Sequence, residues 1–126
     1  MKKQKLFHIF DKVFGTNVLV IIGMPPEKVR PYLEKKYKIN WEYGDYGLKA
    51  GAVMDFDTAP YRVLYLRKLE KIDFIPKLAH EVFHLVLRLC ANRQIPTVPE
   101  IDGNITDETA AYVMEFYMRE ILEKLK

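Results

Sequence analysis

Two histidines and a glutamate in the stretch LAHEVFHLV, residues 78–86, have the types and the spacing of a metal site. On a helix, residues four apart lie on one face, so the imidazoles of His80 and His84 can converge on one ion. Glu81 is rotated by about 100° from His80. It can border the same cavity and accept a proton from a metal-bound water without ligating the metal. The pattern H-E-x-x-H therefore predicts a zinc site on a helix.

The alternative interpretation is a pair of core histidines with a solvated glutamate. The neighbouring side chains are apolar around nearly the whole circumference of the helix, which predicts that the helix is buried; they are Leu78, Ala79, Val82, Phe83, Leu85, Val86, Leu87 and Leu89. Burying two imidazoles and a carboxylate without strong partners costs roughly several kcal/mol. Because a bound cation would remove that cost, the sequence favours the zinc site.

A third protein ligand is expected, because catalytic zinc normally takes three protein ligands and keeps a fourth position for water. The extended motif H-E-x-x-H-x-x-G-x-x-H is absent, since Leu87 and Cys90 stand at the positions of its glycine and last histidine. The helix therefore continues, and Cys90 points elsewhere. His8, the only other histidine, is remote in sequence, and a lone histidine is usually structural.

Carboxylates are the remaining candidates for the third ligand. Glu108 is favoured because it lies in the first turn of the last predicted helix, with Ala110 and Ala111 beside it. Such small residues let two helices approach closely enough for a carboxylate to reach a shared metal. The alternatives at this point are Asp102, Asp107 and Glu115.

The elements that would position these residues can be read from periodicity and from turn-forming residues. The predicted order is strand, helix, hairpin, helix, loop, helix. The strand is TNVLVII, and the hairpin joins LKAGAVMDF to YRVLYLRK. The first helix starts at Pro26, and its predicted inner stripe is Val29, Leu33 and Tyr37. The helix that carries the motif has Asp73 as its expected N-cap and runs to about Asn92, and the last helix follows Thr106 as its N-cap. We therefore expect one α+β domain over residues 1–126, with a small mixed sheet packed on the motif helix and the C-terminal helix.

Composition narrows the class of protein. The chain has 126 residues, a net charge of +3 and one cysteine, Cys90. The charge is small and is not gathered into a basic stripe, so nucleic acid is not an expected partner. The N-terminal apolar run is interrupted by charge, and the longest apolar run, residues 18–24, is too short to span a membrane. We expect a cytoplasmic protein with no membrane partner.

A family resemblance rests on these same stretches. LAHEVFHLV followed by ITDETAAYVMEFYM resembles the gluzincins, the branch of the zincin metallopeptidases whose third zinc ligand is a glutamate. The small single-domain forms, called minigluzincins, and short phage-type relatives are the most similar. The resemblance covers residues 50 to about 118 and is more specific at the first motif than at the second.

The resemblance implies a zincin-like fold, Zn²⁺ held by His80, His84 and Glu108, and Glu81 as the general base and acid. It also implies that a strand near Gly51, Ala52, Val53 and Met54 lies along the cleft and pairs with an extended peptide substrate. From the residues alone, the alternative is an inner strand of an ordinary sheet. Many gluzincins carry an aspartate four residues after the ligand glutamate, and here that position is Tyr112. Tyr112 is a candidate oxyanion stabiliser, although a tyrosine on a helix is more often a packing residue.

The function expected from the sequence is zinc-dependent hydrolysis of peptide bonds in a peptide or an unfolded protein. The alternative is a latent or inactive metal-binding or regulatory module with a zincin fold. The small size and the missing aspartate keep that alternative open. Metal content and cleavage of an unfolded protein would separate the two.

Overall fold

A computed structural model describes residues 4–12, 14–41, 51–56, 62–67, 71–95, 97 and 108–126. Within these ranges the chain forms four strands and three helices in an α+β arrangement. Their order is β1 (Lys5–Asp11), β2 (Thr16–Ile22), α1 (Pro26–Tyr37), β3 (Gly51–Asp55), β4 (Arg62–Leu66), α2 (Lys71–Asn92) and α3 (Glu108–Lys124).

The four described strands form one mixed sheet with the order β1-β2-β4-β3. β1 and β2 are antiparallel, β2 and β4 are parallel, and β3 and β4 are antiparallel. The two central strands are buried along most of their length, as their apolar runs VLVII and VLYL require. This order leaves β3 at one edge of the described sheet.

Helices cover both faces of the sheet. Alternate residues of a strand point to opposite faces, and two apolar clusters follow from that alternation. On one face α1 packs against the sheet through Val29 and Leu33, with the side chain of Trp41 at the margin of the cluster. On the other face α2 and α3 pack together and against the sheet, and this second face carries the candidate motif.

The boundaries of α1 follow from local chemistry. Pro26 opens the helix at a position where a missing N–H is tolerated. Lys38 ends it in the left-handed conformation, with φ of 56°, and its N–H bonds to the Glu34 carbonyl at 3.0 Å. The predicted inner residues Val29 and Leu33 are fully buried, which confirms the predicted stripe.

The predicted hairpin is confirmed as the antiparallel pair β3–β4, and the end of α2 at Asn92 is also as predicted. Two predictions need correction. β1 was not predicted from the sequence, and its burial does not alternate cleanly along the strand. Asp73 is not the N-cap of α2, because the helix begins at Lys71 and places Asp73 in its first turn. The proposed cap of the last helix, Thr106, lies outside the described residues, and α3 begins at Glu108.

Candidate metal and peptide site

His80, Glu81 and His84 lie on α2, as predicted, but their burial differs from the expectation. The prediction that this helix is buried all round is wrong, because Phe83 is half exposed and both histidines are exposed. The side chain of His80 is 63% exposed. α2 is instead amphipathic and buries one stripe, formed by Leu78, Val82, Leu85, Val86, Leu89 and Cys90. The desolvation cost that favoured zinc in the sequence therefore applies only to Glu81.

The two imidazoles converge. Nε2 of His80 and Nε2 of His84 lie 3.2 Å apart, and the rings meet edge to face with centroids 4.7 Å apart. Two nitrogens that each lie about 2.0–2.1 Å from a tetrahedral zinc ion would be about 3.3–3.4 Å apart. The separation of this pair thus fits two ligands of one tetrahedral ion. It also permits a hydrogen bond between neutral rings of opposite tautomers.

Glu81 occupies a different environment from the histidines. It is 8% exposed, and its Oε2 lies 4.0 Å from Nε2 of His80. Burial raises the pKa of the Glu81 carboxyl above its ordinary value, while the charges of His80, His84, Lys77 and Arg88 act in the opposite direction. A carboxyl with a raised pKa next to two convergent imidazoles has the properties of a general base and acid.

Gly51, the first residue of β3, makes the close approach that fixes Glu81 against the sheet edge. A Cβ at Gly51 would lie 3.1 Å from both Cγ and Oε2 of Glu81, and 2.9 Å from the carbonyl oxygen of Tyr65. The absence of a side chain at residue 51 is therefore what gives the Glu81 carboxylate its place beside the strand. The structure thus joins the predicted edge strand to the predicted general base.

The backbone groups of β3 that point away from the sheet can be assigned. Gly23 donates its N–H to the Leu66 carbonyl at 2.9 Å, so that carbonyl faces β2. Gly51 is the cross-strand partner of Leu66, and it must therefore direct its own N–H and C=O away from β4. The N–H and C=O groups of Val53 and Asp55 point away from β4 in the same way, because every second residue of an antiparallel strand does so. Ala52 and Met54, also predicted to belong to the substrate strand, pair with β4 and pack on the α1 face.

Arg88 is a residue at this edge that the sequence analysis did not single out. Its guanidinium donates to the Val53 carbonyl at 2.7 Å and lies 3.2 Å from Oδ2 of Asp55. Oδ1 of Asp55 in turn lies 3.3 Å from Nε of Arg62 on β4. The only sequence signal was the position of Arg88, one helical turn after His84 on the motif face.

The third ligand is not assembled in the described residues, among which no group of three His, Cys, Asp or Glu side chains could hold a metal ion. Glu108 is exposed at the first residue of α3, and Glu115 is exposed and paired with Arg119. The other two candidates, Asp102 and Asp107, lie outside the described residues. Glu108 as a ligand stays a prediction.

The remaining candidates have other surroundings. His8 lies on β1, where its ring nitrogens are 3.2 Å from Oδ1 of Asn17 and from the hydroxyl of Tyr37. Cys90 is fully buried in the core, where burial raises the pKa of its thiol. Tyr112 is 66% exposed. It lines an open pocket of about 200 Å³ between α3 and the end of β1, together with Asp11, Thr109, Val113 and Phe116.

Comparison of the chain with protein-family models, with curated proteins and with solved structures finds no match. Among the residues that the structure describes, none of the helices is long and apolar enough to cross a membrane.

Proposed function

We propose that this protein is a zinc-dependent metallopeptidase with a zincin-like fold of the gluzincin type, acting on peptides or unfolded proteins. The observation that carries the proposal is the position of Glu81. Its carboxylate is buried between the convergent pair His80–His84 and Gly51 of the edge strand β3. A candidate general base, a pair of metal donors and a strand at the edge of the described sheet thus meet in one place.

His80 and His84 would hold the metal, with Glu108 as the proposed third ligand. Bound zinc would supply Lewis-acid chemistry, polarising a carbonyl oxygen and lowering the pKa of a water molecule. An extended substrate would pair with the outward backbone groups of β3, beginning at Gly51. This pairing would bring its scissile carbonyl next to Glu81.

Glu81 would carry the proton through the reaction. Its carboxylate takes a proton from the attacking water as the water oxygen bonds to the carbonyl carbon. The buried surroundings favour the protonated carboxyl, which holds that proton until the C–N bond breaks. The proton then passes to the leaving amine nitrogen, and Glu81 returns to its carboxylate form.

A latent or inactive module with the same fold is the second candidate, and one observation favours it. Among the described residues, no third ligating side chain joins the His80–His84 pair in a group that could hold a metal ion. Tyr112 also stands where many gluzincins have an aspartate that orients a zinc histidine, so the histidines of this chain would need another partner. Such a module would bind metal without cleaving protein. A cytoplasmic location belongs to both proposals.

Metal content and casein cleavage test the proposal. We expect purified wild type to hold about one zinc ion per chain and to cleave casein. Glu81→Gln keeps the shape of the side chain and removes the base, so it should retain zinc and lose cleavage. Glu108→Ala should weaken zinc binding, whereas Glu115→Ala, also on α3, is the matched control and should not.

Each other result has a definite meaning. Zinc without cleavage would favour the latent module. A loss of zinc in Glu115→Ala and not in Glu108→Ala would identify Glu115, and not Glu108, as the third ligand. Wild type that binds no zinc would refute the metal site.

A further inference from the structure

Arg88 occupies the part of β3 that a bound peptide would need. The outward groups of this strand belong to Gly51, Val53 and Asp55, because the Leu66 carbonyl faces β2. Gly51 lies against Glu81. Two residues further along the strand, the Val53 carbonyl already accepts a hydrogen bond of 2.7 Å from the Arg88 guanidinium.

Arg88 is held in this position from two sides. Its helix places it one turn after His84, so its side chain extends along the motif face toward β3. Asp55 then lies 3.2 Å from the guanidinium, and it also lies 3.3 Å from Arg62 on the neighbouring strand. The side chains of Arg88 and Asp55 are 42% and 45% exposed. A contact with this much access to water can be displaced by a competing backbone donor.

We propose that Arg88 acts as a gate on the β3 edge: it competes with an extended peptide for the Val53 carbonyl and so limits how far along β3 a substrate can pair. The proposal rests on the proposed peptidase function. A short peptide can pair at Gly51 beside Glu81 without disturbing Arg88. A longer one must replace the Arg88 hydrogen bond with its own N–H. The gate thus sets the length of substrate that binds easily, and it opens at the cost of one charge-assisted hydrogen bond.

A simpler role for Arg88 would be protection of an exposed strand edge against pairing with another copy of the chain. The two roles differ in what takes the place of Arg88 when its side chain is removed. If Arg88 acts as a gate, a variant without its side chain binds an extended peptide more tightly. In simple edge protection, the protein self-associates and peptide binding does not improve.

Binding of fluorescein-labelled β-casein, an unfolded protein, tests the gate. The Glu81→Gln chain is used so that the probe is not cleaved, and its affinity is compared with that of Glu81→Gln/Arg88→Met. Methionine keeps the unbranched stem and removes the donors. We expect the second variant to bind the probe about fivefold more tightly, which corresponds to one hydrogen bond that no longer has to be displaced.

Charge and folding are controlled separately. Arg30→Met removes the same charge from α1, where Arg30 pairs with Glu34, and it should leave the affinity unchanged. Arg88→Lys keeps the charge but lacks the fork that reaches both Val53 and Asp55, so it should give a smaller gain than methionine. Urea denaturation of each variant shows that it is folded under the binding conditions.

Equal or weaker binding by the Arg88→Met variant would overturn the gate, as would self-association without tighter binding or no binding by either chain. If the peptidase proposal is wrong, wild type will not cleave casein, whichever variant binds the probe more tightly. That result is distinct from those that overturn the gate. In an active enzyme, Arg88→Met should lower KM for casein by the same factor.

Discussion

Gly51→Ala is the sharpest perturbation of the contact between β3 and Glu81. The new Cβ would lie 2.9 Å from the Tyr65 carbonyl and 3.1 Å from both Cγ and Oε2 of Glu81. The carboxylate end of Glu81 can rotate, but the Tyr65 carbonyl is backbone in the strand that pairs with β3. Either the strands separate by a few tenths of an ångström or their pairing distorts.

Two effects of opposite sign decide the expected stability of Gly51→Ala. Forcing a methyl group into a packed site typically costs about 1–3 kcal/mol. Alanine also stabilises the protein by about 0.4–1 kcal/mol, because it restricts the conformations of the unfolded chain. Overpacking is the larger effect, so we expect a net loss of about 1–2 kcal/mol in the free energy of unfolding, measured by urea denaturation. The displaced carboxylate should also lower kcat for casein by about tenfold, since an error of 1 Å in position can cost about a hundredfold.

Gly15→Ala is the matched control. Gly15 has φ of 65°, and nothing would lie within 4 Å of its Cβ. Alanine there is strained by its backbone alone, at about 1–2 kcal/mol, without touching the site. We therefore expect a similar loss of stability with unchanged kcat. Wild-type stability and wild-type kcat in Gly51→Ala would refute the close approach of β3 to Glu81.

Two further predictions concern buried tyrosines. The hydroxyl of Tyr65 donates to the Met24 carbonyl at 2.5 Å, and burial raises its pKa to about 12 from an unfolded value of 10.0. The stabilisation by this protonated hydroxyl is therefore complete below pH 10 and is lost as the pH rises toward 12. Tyr65→Phe should reduce the alkaline decline in the free energy of unfolding, measured in urea, by up to about 1.4 kcal/mol per pH unit. An unchanged slope would contradict this. The Tyr117 hydroxyl donates a hydrogen bond of 3.0 Å to the buried carboxylate of Asp11. Tyr117→Phe should therefore lower the free energy of unfolding by about 2 kcal/mol at pH 7. No change in urea denaturation would show that this bond contributes nothing to stability.

The parts of the fold that the sequence predicted are those set by local pattern. Pro26 and the Val29–Leu33 spacing marked α1, and the alternation around residues 51–66 marked the hairpin. β1 was missed because His8 and Asp11 interrupt its apolar residues. In the structure both gain polar partners from distant residues, which no local pattern contains.

In the candidate site, too, the features set by local sequence were predicted and those set by tertiary packing were not. Spacing alone was enough to place His80, Glu81 and His84 together on one helix. Counting apolar neighbours could not show which side of α2 meets the sheet, and so the histidines were expected to be buried. The contacts of Gly51 with Glu81 and of Arg88 with Val53 depend on strand order and helix placement, which are tertiary properties.

The parallel pairing of β2 with β4 orders the events of folding. β1 and β2 are joined by a short connection and can pair early, whereas β2 meets β4 only after the chain through α1 and β3 has closed a long loop. The four strands in the described ranges all precede α2 in the chain. During synthesis the sheet face formed by Val18, Val20 and Leu64 can therefore exist before the helices that bury it are made. Until α2 and α3 dock, that face is a surface for aggregation. The helix that carries the candidate chemistry is therefore also one of the two that shield this face of the sheet from water.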